Sequence, residues 1–421
     1  MRLPVPIMLN AFVSLSRRSL GLVLLIVISG LISSPRSLAA RTAWQADVIA
    51  LSPNGRFVAA SFMSTAEVNP YRIKDGGIWL YDLENMFSPA LHLMESRFSH
   101  IDMVFSPDNN YLAIVDVVGL YVHRTADGSR IFDLLRPSSP RTVQNTIEFS
   151  PDSAYLRAFN IWHRSDDPDR YYDLIMPIWD FKNSRLAITA VTNPIDSFTK
   201  LWLNPAWNQL VAYEHVYEFD IAVGTGGSIG MLEEPGYSGF GDGQGELFHP
   251  DKPLFATTTY DCILQIYDTR SWTVVKRWAH PDSECEYGIS EIDFSRAIPW
   301  LAFTDHPKYW QWCESQEQAR LVVWDYEKDV LVFESATYAS HARFTPDDRF
   351  IIASGCRAGN GDAQISVWDT ENGFDFVAYP GISPQLHPDS ETMITIGYDG
   401  NIWIWNLAKR APVAILPALP A

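Results

Sequence analysis

The chain has 421 residues, of which 47% are hydrophobic and 19% charged, and its formal net charge at pH 7 is −18. So acidic a body repels phosphate backbones and anionic lipid surfaces, which excludes nucleic acid as an expected partner. Its four cysteines show no C-x2-C spacing, which excludes the usual zinc ribbons.

Residues 1–40 stand apart. Arg17 and Arg18 precede an apolar run from Leu20 to Ile32, and the small residues Ser37, Leu38, Ala39 and Ala40 follow. A basic flank, a short apolar run and a small-residue cleavage site predict a secretory signal. The run is short for a spanning helix, which needs about 20 residues, so an uncleaved anchor is the alternative. Either outcome predicts an extracytoplasmic protein, secreted or periplasmic, that touches membrane only through this segment. Residues 41–421 are expected to form one domain, because no linker-like stretch divides them.

From residue 44 onward a short phrase recurs about every 48 residues: an apolar residue, then Ser, Thr, His or Asn, then Pro, commonly then Asp or Asn. Copies begin at Leu51, Phe105, Phe149, Leu203, Phe248, Phe344 and Leu386, and Phe294-Ser295-Arg296 is a decayed copy. Proline pre-sets a turn and offers no N–H to a sheet, so it belongs between strands. After each turn comes an apolar strand such as Phe57–Ala60 or Phe350–Ala353. A second run follows and ends on an aromatic residue and often Asp, as in Trp179-Asp180, Tyr267-Asp268, Trp324-Asp325 and Trp368-Asp369. No sustained helical period interrupts this pattern.

The turn phrase with the Trp-Asp ending resembles the WD-repeat family of β-propellers over residues 44 to 416. The resemblance implies an all-β fold of four-stranded antiparallel blades. Eight motifs predict eight blades, and seven if the weak fourth repeat is an insertion. In that fourth repeat the third strand is expected at Phe219–Val223, and Ala411–Leu416 is expected to close the last blade. The family's Gly-His pair is missing, although Asp261 and Asp399 match its buried turn Asp. Trp79, Trp179, Trp324, Trp368 and Trp405 are expected in the core of third strands. His249 and His387 are expected to act as turn residues.

The blade reading also places the four cysteines in loops of one face, with Cys262–Cys285 and Cys313–Cys356 as the expected disulfides among three connectivities. Trp162, Trp207, Tyr309, Trp310 and Trp312 break the repeat register and are candidate partner-binding residues, since loop aromatics anchor interfaces. The competing reading packs them over the blade beneath. Asp166, Asp167, Asp169 and Asp173 do not match a calcium-loop spacing and read as a solvated loop. The glycine-rich stretches 224–230 and 236–245 lack a phosphate-loop ending and read as flexible loops.

No catalytic, cofactor or metal residue emerges. The expected function is a monomeric platform that binds a protein or peptide through the long second-to-third-strand loops. A hydrolase or lyase at the central channel is the alternative, and a small-ligand sensor a second one.

Overall fold

The computed structural model describes residues 44–417 apart from the connections 65–75, 96–100, 136–143, 164–172, 193–200, 213–214, 222–224, 233–245, 259–262, 280–288, 306–318 and 357–362 and residues 87, 117 and 338. Eight four-stranded antiparallel sheets follow one another along the chain, each from four consecutive strands. They form the blades of a ring: 44–95, 102–135, 144–192, 201–231, 246–279, 289–337, 339–380 and 382–416. The inner strand of blade 1 (Trp44–Leu51) packs against the inner strands of blade 2 (Asp102–Phe105) and of blade 8 (Ile382–Leu386), so the ring closes.

The weak fourth repeat is a complete blade. Its third strand is His215–Asp220, several residues before the expected span, because Tyr217 and Glu218 take the places of the usual aromatic and Asp. Its outer strand is Thr225–Met231, so the first glycine-rich stretch is a strand and not a loop. Ala411–Leu416 is the outer strand of blade 8.

Alternation along each strand explains why blades stack. Ile49 points into a core shared with Ile394, Ile396, Ile402 and Ile404 of blade 8, whereas the adjacent Ala50 joins a core with Met103, Phe105 and Leu112 of blade 2. Every core cluster among the described residues is likewise shared by two successive blades. No blade buries its faces alone, which makes the repeat number a property of the closed ring. The aromatic before the turn Asp always faces backwards: Tyr267, Trp324, Trp368 and Trp405 pack against the preceding blade. Trp79 departs from the expected register. Phe57 pairs with Asp82, which places Tyr81 at the aromatic position and Trp79 two residues earlier.

Candidate functional site

Antiparallel strands deliver their connections alternately to two ends of the ring. Connections one-to-two and three-to-four emerge at one end, where all are short turns except the eight residues between Asp82 and Leu91 of blade 1. Connections two-to-three and four-to-one emerge at the other and vary widely, from the single residue between Thr337 and Ala339 to the fourteen between Met231 and Glu246. The two ends therefore differ in kind, one uniform and one variable.

The uniform end is built from the Pro turns. Ser52 Oγ donates to Asn54 Oδ1 (2.7 Å) and accepts from the Phe57 N–H (2.8 Å). Ser106 with Asp108, Ser150 with Asp152 and Thr345 with Asp347 repeat both bonds. The fourth turn residue adopts left-handed φ, between 55° and 74° at Gly55, Asn109, Ser153, Trp207, Asp348 and Ser390. That conformation turns its side chain toward the preceding blade.

There the fourth residue finds a backbone donor. Asn109 Oδ1 accepts from the Asn54 N–H (2.8 Å), Ser153 Oγ from Asp108 (3.1 Å) and Ser390 Oγ from Asp347 (3.1 Å). The two histidine turns solve the same problem internally. Nδ1 of His249 accepts from Asp251 and Lys252 (3.0 Å each), and Nδ1 of His387 accepts from Asp389 (3.1 Å). The blades that follow them offer Ile298 and Gly55, neither of which has a side-chain acceptor.

This geometry fixes the His249 tautomer. Its Nδ1 lone pair already receives two N–H groups, so protonation there would oppose two donors. Burial, with Lys252 nearby, pulls its pKa down to about 4, while Asp251 and Asp348 pull the other way. The free imidazole titrates near 6.5, so the neutral ring stabilises the fold fully above that pH. The contribution is lost as pH falls from 6.5 toward 4. His249→Ser is expected to remove this acid sensitivity, about 2 kcal/mol across that window after allowance for solvent screening. Its cost at pH 7 is expected to be about 1 kcal/mol, from the Asp251 N–H left without its acceptor. Urea unfolding of both proteins at pH 7 and pH 4.5 checks this; parallel losses in the two would contradict it.

Two polar groupings sit on inner strands in the gap facing the next blade. Glu148 of blade 3 meets the buried Arg157 at 3.0 Å and accepts from Trp207 Nε1 of blade 4 at 3.2 Å. Asp293 of blade 6 accepts from the Phe344 N–H of blade 7 at 2.7 Å. Asp293 keeps some exposed surface, yet the protein packed around its carboxyl pushes it up to about 6, against the pull of the Phe344 N–H and Arg343. Neither grouping pairs a nucleophile with a base. Among the described residues, no group of three or more His, Cys, Asp or Glu side chains could hold a metal ion. No helix there is long and apolar enough to cross a membrane.

This architecture has counterparts among solved structures. The chain superposes on the computationally designed Ika8 protein with a TM-score of 0.55 and 14% identity, covering 88% of this chain and 98% of that one. It superposes on Sqt1 of Saccharomyces cerevisiae with a TM-score of 0.58 and 12% identity, covering 87% and 96%. The chain folds as an eight-bladed all-β propeller. No protein-family model matches the sequence. No curated protein matches it.

The propeller places the sequence candidates unevenly. Tyr309, Trp310 and Trp312 lie outside the described residues, as do Cys262, Cys285, Cys313, Asp166, Asp167, Asp169 and Asp261. Backbone alone is described for Trp162 and Asp173 in blade 3 and for Cys356, which ends the second strand of blade 7. Both disulfide pairings therefore fall outside the described side chains. Trp207 is a correction: only 3% exposed, with its indole N–H held by Glu148, it packs over the blade and presents no anchor to a partner. Asp399 is also corrected. It is exposed, and it accepts from Asn401 and Trp403 of its own hairpin. The buried turn Asp that composition did not single out is Asp116 of blade 2, whose Oδ1 accepts from Val118 (2.7 Å) and Gly119 (2.8 Å).

Proposed function

We propose that this propeller is an interaction platform for a protein or peptide, acting outside the cytoplasm once the N-terminal segment has directed its export. The observation that carries this reading is the asymmetry of the ring. One end is closed by interlocked turns, and the other receives the connections that differ most in length. Such a scaffold fixes the strand ends between which its loops run while leaving the loop sequences free, and binding commonly resides on loops of that kind. The fold shared with Sqt1 supports a platform in general terms. The acidic surface favours a basic or neutral partner over an anionic one.

Replacing residues 307–317 with a two-residue Asn-Gly turn tests the reading. The strands ending at Asp305 and starting at Ala319 pair along their length, so the variant is expected to keep its melting temperature within a few degrees of a Cys313→Ser/Cys356→Ser reference that lacks the same expected disulfide. Capture of partner from cross-linked envelope fractions is expected to be lost. Undiminished capture would remove this loop from the binding surface.

A further inference from the structure

The outer strand of blade 4 differs from its seven counterparts in what it lacks. An outer strand presents unpaired N–H and C=O groups to solvent, and proteins blunt such edges with charges or proline. Glu95, Arg130, Arg185, Lys276, Glu334, Asp375 and Pro412 do this in the other seven blades. Thr225–Met231 carries neither a charged residue nor a proline. A bulge interrupts its pairing near Ile229, but six of the eight outer strands have a bulge at that step and the outer strand of blade 1 has one two residues earlier, so it is no special protection.

The same strand is open on its faces. Residues 226–231 are all exposed, with Ile229 at 48% and Met231 at 55%. A Cβ built on Gly227 or Gly230 would meet nothing within 4 Å.

Behind this bare edge stands a carboxylate. Glu218 pairs with Gly227 and occupies the position where six blades hold Asp82, Asp180, Asp268, Asp325, Asp369 or Asn406, each capping the turn that follows. In blade 4 the hairpin runs two residues further, to the Asp220–Thr225 pair, so Glu218 has no turn to cap. It is exposed and accepts from Gln209 Nε2 at 3.1 Å. A fifth strand set against this edge of the blade would lie about 10 Å from the Glu218 backbone, with only glycine between. The residue opposite Gly227 on that strand could reach the carboxylate with a long basic side chain.

We infer that the outer strand of blade 4 accepts an extended segment of a partner protein as an added antiparallel strand. That segment carries apolar residues beside Ile229 and Met231 and an arginine or lysine opposite Gly227. Strand addition draws affinity from main-chain bonds and selectivity from alternate side chains. A second copy of this chain fits less well. Its own strand has no basic residue to meet Glu218, and two bodies of net charge −18 would be brought together. The inference rests on the platform reading and names one of its surfaces.

The test uses the purified full chain and a fluorescein-labelled nine-residue peptide alternating valine and threonine around a central arginine, read by fluorescence anisotropy. Saturable binding is expected, weakened at least tenfold by Met231→Lys with an unchanged melting temperature. Ile229→Lys serves if that variant fails to fold. Glu218→Gln is expected to weaken the arginine peptide at least threefold and to leave a glutamine-centred peptide unaffected. Absence of saturable binding, or equal binding by a folded lysine variant, overturns the inference. So does a dimer in sedimentation that Met231→Lys dissolves, which would assign the edge to a second copy. Capture of partner from envelope fractions that persists in Met231→Lys also overturns it while leaving the platform reading standing. Failure of capture by every protein tested would strike that reading instead.

Discussion

Gly55→Ala is expected to lower stability by about 3 kcal/mol, a large effect for one methyl group on a surface turn. Left-handed backbone costs a non-glycine residue about 1–2 kcal/mol. That alone is tolerable, since Asn109, Ser153, Asp348 and Ser390 adopt it in other blades. At Gly55 a Cβ would stand 1.8 Å from Nε2 of His387 and 2.3 Å from its Cδ2, so the ring must leave its place. Overpacking of this kind adds about 1–3 kcal/mol. His387→Ala in the same chain is expected to recover the steric share, giving a coupling of at least about 1 kcal/mol in a double-mutant cycle. Equilibrium denaturation reads both. A Gly55→Ala cost below about 1 kcal/mol would mean that the two turns do not pack as described.

Asp348→Ala is expected to cost about 3 kcal/mol, because it orphans two backbone donors at once. The reason lies in the blade before it. The decayed turn of blade 6 has Arg296 where other turns have proline, and so has an N–H that they lack. Asp348 Oδ1 accepts from Arg296 (2.9 Å) and Oδ2 from Ala297 (2.7 Å). Where the proline is present, one acceptor suffices, and Asn109, Ser153 and Ser390 each supply one. Asp348→Asn keeps one acceptor and tolerates left-handed φ, so it is expected to cost about half as much. Equal costs for the two variants in thermal unfolding would contradict the two-donor account.

These turns also show how much the sequence makes legible. The Pro-Asp phrase and the Trp-Asp ending are local, and each marks one strand end, so blade number and strand order follow from counting. The fourth turn residue was invisible to that counting. Its identity varies among Gly, Asn, Ser, Trp and Asp, and what unites these residues is a backbone angle, joined in Asn109, Ser153, Asp348 and Ser390 by a partner some 43 to 55 residues away. The Trp79 misreading has a related cause. Trp79 and Tyr81 lie on the same face two residues apart, so either satisfies the pattern, and only pairing with Phe57 settles the register. Trp207 looked like a loop aromatic because it breaks the repeat, yet it fills a turn position and is held by Glu148 from another blade. The bare edge of blade 4 has the composition of a glycine-rich loop, because glycine signals turns locally. A partner strand, His215–Asp220, makes it a sheet.

Every blade draws its four strands from consecutive sequence, and this includes the first and the last. No strand crosses from one end of the chain to complete a sheet at the other. The seam between blades 8 and 1 is held by side-chain packing, by the Ala46 N–H bonded to the Gly400 carbonyl (3.2 Å), and by Gly55 against His387. Joining residue 416 to residue 44 and opening any other inter-blade connection would leave all eight sheets whole. The circle has no preferred starting point, and what specifies each blade is its neighbour on either side, not its distance along the chain.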